Sequence, residues 1–258
     1  MYKEILMLVG QGSVNKINFM KSGIGKYLVA SGLAGAYVGI GVILIMVIGS
    51  TAQIAGSPYG RIYMGLGFGI ALSLVIMSGS ELFTGNNLVH IMGILDKKIT
   101  LFDGSKSWGY SYVGNFIGSI VIGTLFYMTG IEGSAVGDFV LQVSEVKMNG
   151  SFIELFFKGI LCNILVCLAV LSSIKLKSES GKLIMIFWCL FAFIATGMEH
   201  SIANMTIFTI GLWLEHPETV SILGVFKNLI PVTLGNFVGG GLILGGSYYF
   251  MGREKIKG

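Results

Sequence analysis

The chain has 258 residues, of which 53% are hydrophobic and only 12% charged. A soluble domain carries about 25% charge, so this much apolar surface excludes a soluble enzyme or a nucleic-acid-binding module and implies an integral membrane protein. The net charge of +4 is small, and its distribution along the chain says more than its sum.

The first 26 residues are polar and Lys-bearing, with no early apolar core of the kind a cleavable signal peptide needs. Six apolar spans follow, at 27–49, 61–92, 108–130, 151–173, 183–212 and 224–250. The expected fold is therefore an all-α integral membrane domain covering 1–258. It divides into an N-terminal segment 1–26, a first repeat 27–130, an inverted second repeat 151–250 and a short tail 251–258. In the first span Gly35 and Gly39 read as close helix packing.

The second and fifth spans are longer than the roughly 20 residues that cross a bilayer, and each is interrupted by a polar insertion. One reads Glu81-Leu82-Phe83-Thr84-Gly85-Asn86 and the other Glu199-His200-Ser201-Ile202-Ala203-Asn204, with Glu and Asn both displaced by 118 residues between the copies. The third and sixth spans repeat a second pattern, Gly114-Asn115-Phe116-Ile117-Gly118 and Gly235-Asn236-Phe237-Val238-Gly239, 121 residues apart. Its glycines read as packing positions. Three spans per half is an odd number, so the halves must insert with opposite orientation. Interrupted segments at matching places in two such halves point to a binding site near the membrane midplane.

Basic residues set the orientation. Lys3, Lys16, Lys21, Lys26, Lys97, Lys98, Lys106, Lys175, Lys177, Lys182, Arg253, Lys255 and Lys257 fall on one side, against Arg61, Lys147, Lys158 and Lys227 on or near the other. The positive-inside rule then places both termini in the cytoplasm. The opposite loops lean acidic, with Glu132, Asp138, Glu145, Glu215 and Glu218. Cys162, Cys167 and Cys189 sit in apolar stretches with neither zinc spacing nor a disulfide pattern. No metal or cofactor is expected.

In this topology the second half of each interrupted span begins near the midplane. A helix N-terminus presents free N–H groups and about half a positive charge, and two of them converging favour an anion over a cation. His200 can donate and accept hydrogen bonds and exchange a proton near neutral pH; the alternative is a histidine that ties down its loop. Thr84 occupies the facing break, either to meet a passing solute or to cap the half-helix that follows. Carboxylates repel anions, so Glu81 and Glu199 read as loop staples that accept backbone N–H bonds, with Asn86 and Asn204 closing the same loops. Asn163, mid-span in the fourth segment, is placed to join this network. Lys147 attracts anions and biases His200, or is a solvated loop lysine. Lys158 and Glu154 form an i,i+4 pair. Phe68, Leu72, Leu82 and Phe193 flank the breaks, as dewetted constrictions or as ordinary packing.

Together, the segments 81–86, Lys158-Gly159-Ile160-Leu161-Cys162-Asn163-Ile164-Leu165-Val166-Cys167-Leu168-Ala169-Val170 and Gly197-Met198-Glu199-His200-Ser201-Ile202-Ala203-Asn204-Met205 resemble the formate/nitrite transporter family over essentially the whole chain. The resemblance implies an aquaporin-like protomer of six transmembrane helices, one pore per subunit and a homopentamer. It implies Thr84 and His200 as the central polar pair, with Lys147 and Asn163 beside them. Leu72 and Leu82 match the inner constriction, Phe68 and Phe193 the outer one. Within the family the chain is most similar to the clostridial hydrosulfide channel branch, which implies a pathway for small monovalent anions of weak acids, hydrosulfide first, then formate and nitrite. A proton-coupled symporter carries the same residues. An aquaporin would show Asn-Pro-Ala at each break, and neither break contains Pro. No His-Glu-x-x-His, Gly-x-Ser-x-Gly or paired nucleophile and base suggests an enzyme.

Overall fold

The computed structural model describes residues 1–253, so Lys255 and Lys257, counted above for orientation, lie outside the described residues. The chain is all-helical, with no strand among the described residues. The helices are α1 (Tyr2–Ser22), α2 (Ile24–Ile54), α3 (Gly60–Ser78), α4 (Phe83–Leu95), α5 (Leu101–Tyr127), α6 (Ala135–Met148), α7 (Phe152–Lys175), α8 (Glu179–Ala195), α9 (Ser201–Trp213) and α10 (Ile222–Asn236). A π-helical stretch, Phe237–Gly245, continues α10 into α11 (Gly246–Gly252). The segments Ile24–Ile54, Gly60–Ser78, Phe152–Lys175 and Ile222–Gly252 are long and apolar enough to cross a membrane.

Helix starts follow from local chemistry. Thr100, Ser134, Ser151, Ser178 and Ser221 each precede a helix and accept a hydrogen bond from the backbone N–H three residues on, which satisfies one of the free donors of the first turn. The two interrupted spans end their first halves on left-handed glycines, Gly79 at φ 71° and Gly197 at φ 72°. A side chain is strained in that conformation, and α3 and α8 stop there or within two residues of it.

The packing repeats between the halves. α2 packs on α3 and α5, as α7 packs on α8 and α10. Each half also covers a half-helix of the other: α5 packs on α9, and the π-helical stretch packs on α4. These crossings are close. A side chain at Gly118 would collide with the Gly32 carbonyl, and one at Gly239 with the Ile160 carbonyl, so the small-residue stripes read from the sequence set helix spacing.

Two helices depart from the sequence reading. Residues 1–26 carry α1, whose Ile5, Leu6, Val9, Ile17 and Met20 are buried, and it packs chiefly on α4 and α11. Residues 135–148, read as a polar loop, form α6, with Val140 and Met148 fully buried. In both, apolar residues recur about every three to four positions among the charges, a pattern too sparse to register as a membrane span.

Candidate functional site

Each break is pinned by an asparagine from a neighbouring helix. Asn115 Oδ1 accepts the N–H of Phe83 (2.9 Å), while its amide donates to the carbonyls of Ser31 (2.7 Å) and Glu81 (2.9 Å). Asn236 Oδ1 accepts the N–H of Ser201 (3.0 Å), and its amide donates to the carbonyls of Gly159 (2.8 Å) and Glu199 (3.0 Å). The N–H of Glu81 reaches the Ala30 carbonyl and that of Glu199 the Lys158 carbonyl, both at 3.4 Å. Irregular backbone buried in protein must find such partners. These two asparagines are the middle letters of the repeated Gly-Asn-Phe pattern. Reading that pattern for its glycines misses them, although the repeat itself was the available signal.

The carboxylates differ from the expectation that they accept backbone N–H groups. Glu199 accepts from Lys147 Nζ (2.8 Å, Oε1) and Asn204 Nδ2 (2.6 Å, Oε2). Asn204 also donates to Asn228 Oδ1 (2.8 Å), whose amide donates to the Lys147 carbonyl (2.8 Å). Glu81 Oε2 accepts from Lys16 Nζ (2.9 Å), Asn86 Nδ2 (3.1 Å) and Tyr27 OH (3.2 Å). The reason is that the asparagine staples already hold the backbone, which leaves buried carboxylates needing cations and side-chain donors. Lys147 is thus no solvated loop lysine; it sits in the last turn of α6, paired. Lys16 is its counterpart in the other half. The Glu81 cluster continues from Tyr27 OH to Ser107 Oγ (2.6 Å) and on to His90 Nε2 (2.6 Å).

Three cavities share wall residues. One of about 390 Å³ is lined by Arg61, Lys147, Glu199, Asn204, Phe193 and His200, among others. Another of about 170 Å³ is lined by Lys16, Asn86, Leu72 and Leu82, among others. Between them a chamber of about 10 Å³ is walled by Val38, Phe68, Ala71, Leu72, Leu82, Val166, Leu190, Phe193 and His200. Leu72 and Leu82 are shared with one cavity, Phe193 and His200 with the other. The rings of Phe68 and Phe193 meet edge to face at 5.5 Å, and Phe193 stacks on His200 at 6.0 Å.

His200 is the one polar side chain in the chamber wall. It precedes α9, and its Nδ1 accepts the N–H of Ala203 at 3.1 Å. That bond assigns the proton of the neutral ring to Nε2, which donates to Thr84 Oγ1 at 3.0 Å. The bond joins the two breaks directly. Thr84 lies in the first turn of α4 without capping it, and it meets the path through His200 rather than lining a cavity itself. Asn163 also stands outside the lining. Its amide donates to the carbonyls of Thr84 (3.2 Å) and Asn236 (2.6 Å), so it holds the loops rather than facing the chamber.

A sequence model of the family described as Formate/nitrite transporter matches residues 3–250. The chain is 39% identical over 256 residues to the Uncharacterized transporter YwcJ of Bacillus subtilis, covering 99% of this chain and 100% of the relative. It is 40% identical over 228 residues to the Nitrite transporter NirC of Escherichia coli, covering 87% and 82%. A solved structure described as an FNT family ion channel superposes with a TM-score of 0.90 at 34% identity, covering 96% of this chain and 98% of the other. One described as a pentameric formate channel with formate bound superposes at 0.78 and 29%, covering 90% and 98%.

Proposed function

We propose, from the premise that this chain belongs to the formate/nitrite transporter family, that it is a passive or proton-linked channel for small monovalent anions of weak acids. Members of the family are multi-pass membrane transporters and channels, not enzymes. The observation that carries the reading is the Thr84–His200 bond at the seam of the two breaks, with an apolar chamber between two cavities, one lined by Lys147 and Glu199 and the other by Lys16. Both termini face the cytoplasm in this reading, so the Lys16 cavity is the inner vestibule and the Lys147 cavity the outer. The six spans form an inverted 3+3, aquaporin-like protomer, and five copies assemble as in the pentameric formate channel to which the chain is similar.

A bare anion loses several kcal/mol of hydration on entering an apolar neck. The half-helix N-termini of α4 and α9 offset part of this cost. The Nε2–H of His200 donates to Thr84 at rest and is the side-chain donor of the chamber wall that an anion would take over by breaking that bond. Making His200 an imidazolium requires a proton on Nδ1, which breaks the bond that caps α9, so the neutral ring acting as donor is the simpler mechanism. Nitrite and formate as substrates draw support from the named relatives; hydrosulfide, placed first, draws on the sequence resemblance to the hydrosulfide branch.

The test is flux of hydrosulfide, formate, nitrite and glycerol into proteoliposomes over a pH series, wild type beside His200→Asn. The expected result is anion flux in the wild type, reduced and with an altered pH dependence in the variant. Glycerol flux without anion flux would return His200 to a structural role, and unchanged behaviour of the variant would remove it from the mechanism.

A further inference from the structure

The outer vestibule is lined by three cations, Arg61, Lys147 and Lys158, and one carboxylate, Glu199. Two of the cations are already matched. Lys147 holds Glu199 at 2.8 Å, and Lys158 holds Glu154 at 2.6 Å. Arg61 takes part in none of the ion pairs among the described residues. It lies in the first turn of α3, where a positive side chain gains nothing from the helix dipole. Its guanidinium nevertheless reaches across to the second break: a side-chain carbon at Gly197 would come within 3.0 Å of Arg61 Nη1. Gly197 is three residues before His200.

We propose that Arg61 is the anion-capture residue of the outer mouth, supplying the net positive charge that draws anions towards His200. This rests on the anion-channel reading above. The paired lysines contribute dipoles whose fields fall off quickly, whereas a lone charge at the rim of a low-dielectric cleft is felt over a Debye length and is focused by the walls. Arg61 is exposed, whereas Lys147 and Lys158 are only partly so. It acts on entry, not on passage through the chamber.

The experiment is initial formate uptake by the full-length protein in phosphatidylcholine vesicles, at ionic strengths of about 0.01 M and about 0.15 M, where the screening length falls from about 30 Å to about 8 Å. At low ionic strength and subsaturating formate, Arg61→Gln is expected to slow uptake about threefold and Arg61→Glu about tenfold. Both are expected to approach the wild type at the higher strength and to keep the maximal rate. Arg61→Lys, which retains the charge, keeps most of the wild-type rate. Equal rates for Arg61→Gln and wild type at low ionic strength would overturn the proposal. So would a loss of the same size at both strengths, or a loss in Arg61→Lys as large as in Arg61→Gln, since each marks a structural or shape-specific role. A wild-type protein that carries no anion at all would instead strike at the channel reading.

Discussion

Lys147 and Glu199 bear on each other more than either bears on solvent: their side chains are 18% and 7% exposed. Removing one member of such a pair strands the other, which costs about 3–5 kcal/mol when the pair is buried. Lys147→Met is therefore expected to lower the thermal midpoint of the detergent-solubilised protein sharply, by the lower end of that range because Lys147 keeps some contact with water. The double variant Lys147→Met/Glu199→Gln is expected to recover much of the loss, because a neutral amide still accepts from Asn204. A double-mutant cycle on thermal midpoints measures this, and strict additivity would mean that the two residues are not coupled. Much of this residue-level chemistry was legible in advance. Glu81, Asn86, Glu199 and Asn204 stand out as polar groups inside apolar runs, and each Asn does bond the Glu five positions before it. Lys16 was not legible as the partner of Glu81. It lies 65 residues away and, in sequence, is indistinguishable from the lysines that set topology. Nor was the choice of side-chain over backbone donors, because that depends on Asn115 and Asn236 having taken the backbone first.

At the level of elements, the repeated unit is a first helix, a broken helix and a third helix whose asparagine sews the break shut. The offsets repeat between copies: the break bonds to Ala30 and its asparagine to Ser31 of α2 in one half, and to Lys158 and Gly159 of α7 in the other. Asn236→Ala would leave the Gly159 and Glu199 carbonyls and the Ser201 N–H without this partner, at about 1–3 kcal/mol for each group that finds no substitute. The expected outcome is faster amide hydrogen exchange confined to the second break, 197–201, with the first break unaffected. Exchange that rises equally in both breaks would show that they are not held independently. Four apolar helices were readable from apolar length alone, and the breaks from their polar insertions. α1 and α6 were not, because each buries a narrow stripe on a charged helix, a signal that composition averages away. The π-helical stretch Phe237–Gly245 has no sequence signal beyond its glycines; it packs against α4 and α7.

For the whole molecule, the chamber between the vestibules holds about 10 Å³. That is about the least space in which one water molecule fits, and its wall offers a single polar side chain, whereas a buried water needs two to four partners. A continuous water file therefore has nowhere to stand. On the channel reading proposed above, ions are expected to cross one at a time and without an accompanying column of solvent. Two consequences separate such a path from a wet pore. An osmotic gradient across a membrane containing the protein should generate no streaming potential. The osmotic water permeability of its vesicles should stay at that of protein-free lipid while anions exchange freely, which light scattering in a stopped-flow instrument would show.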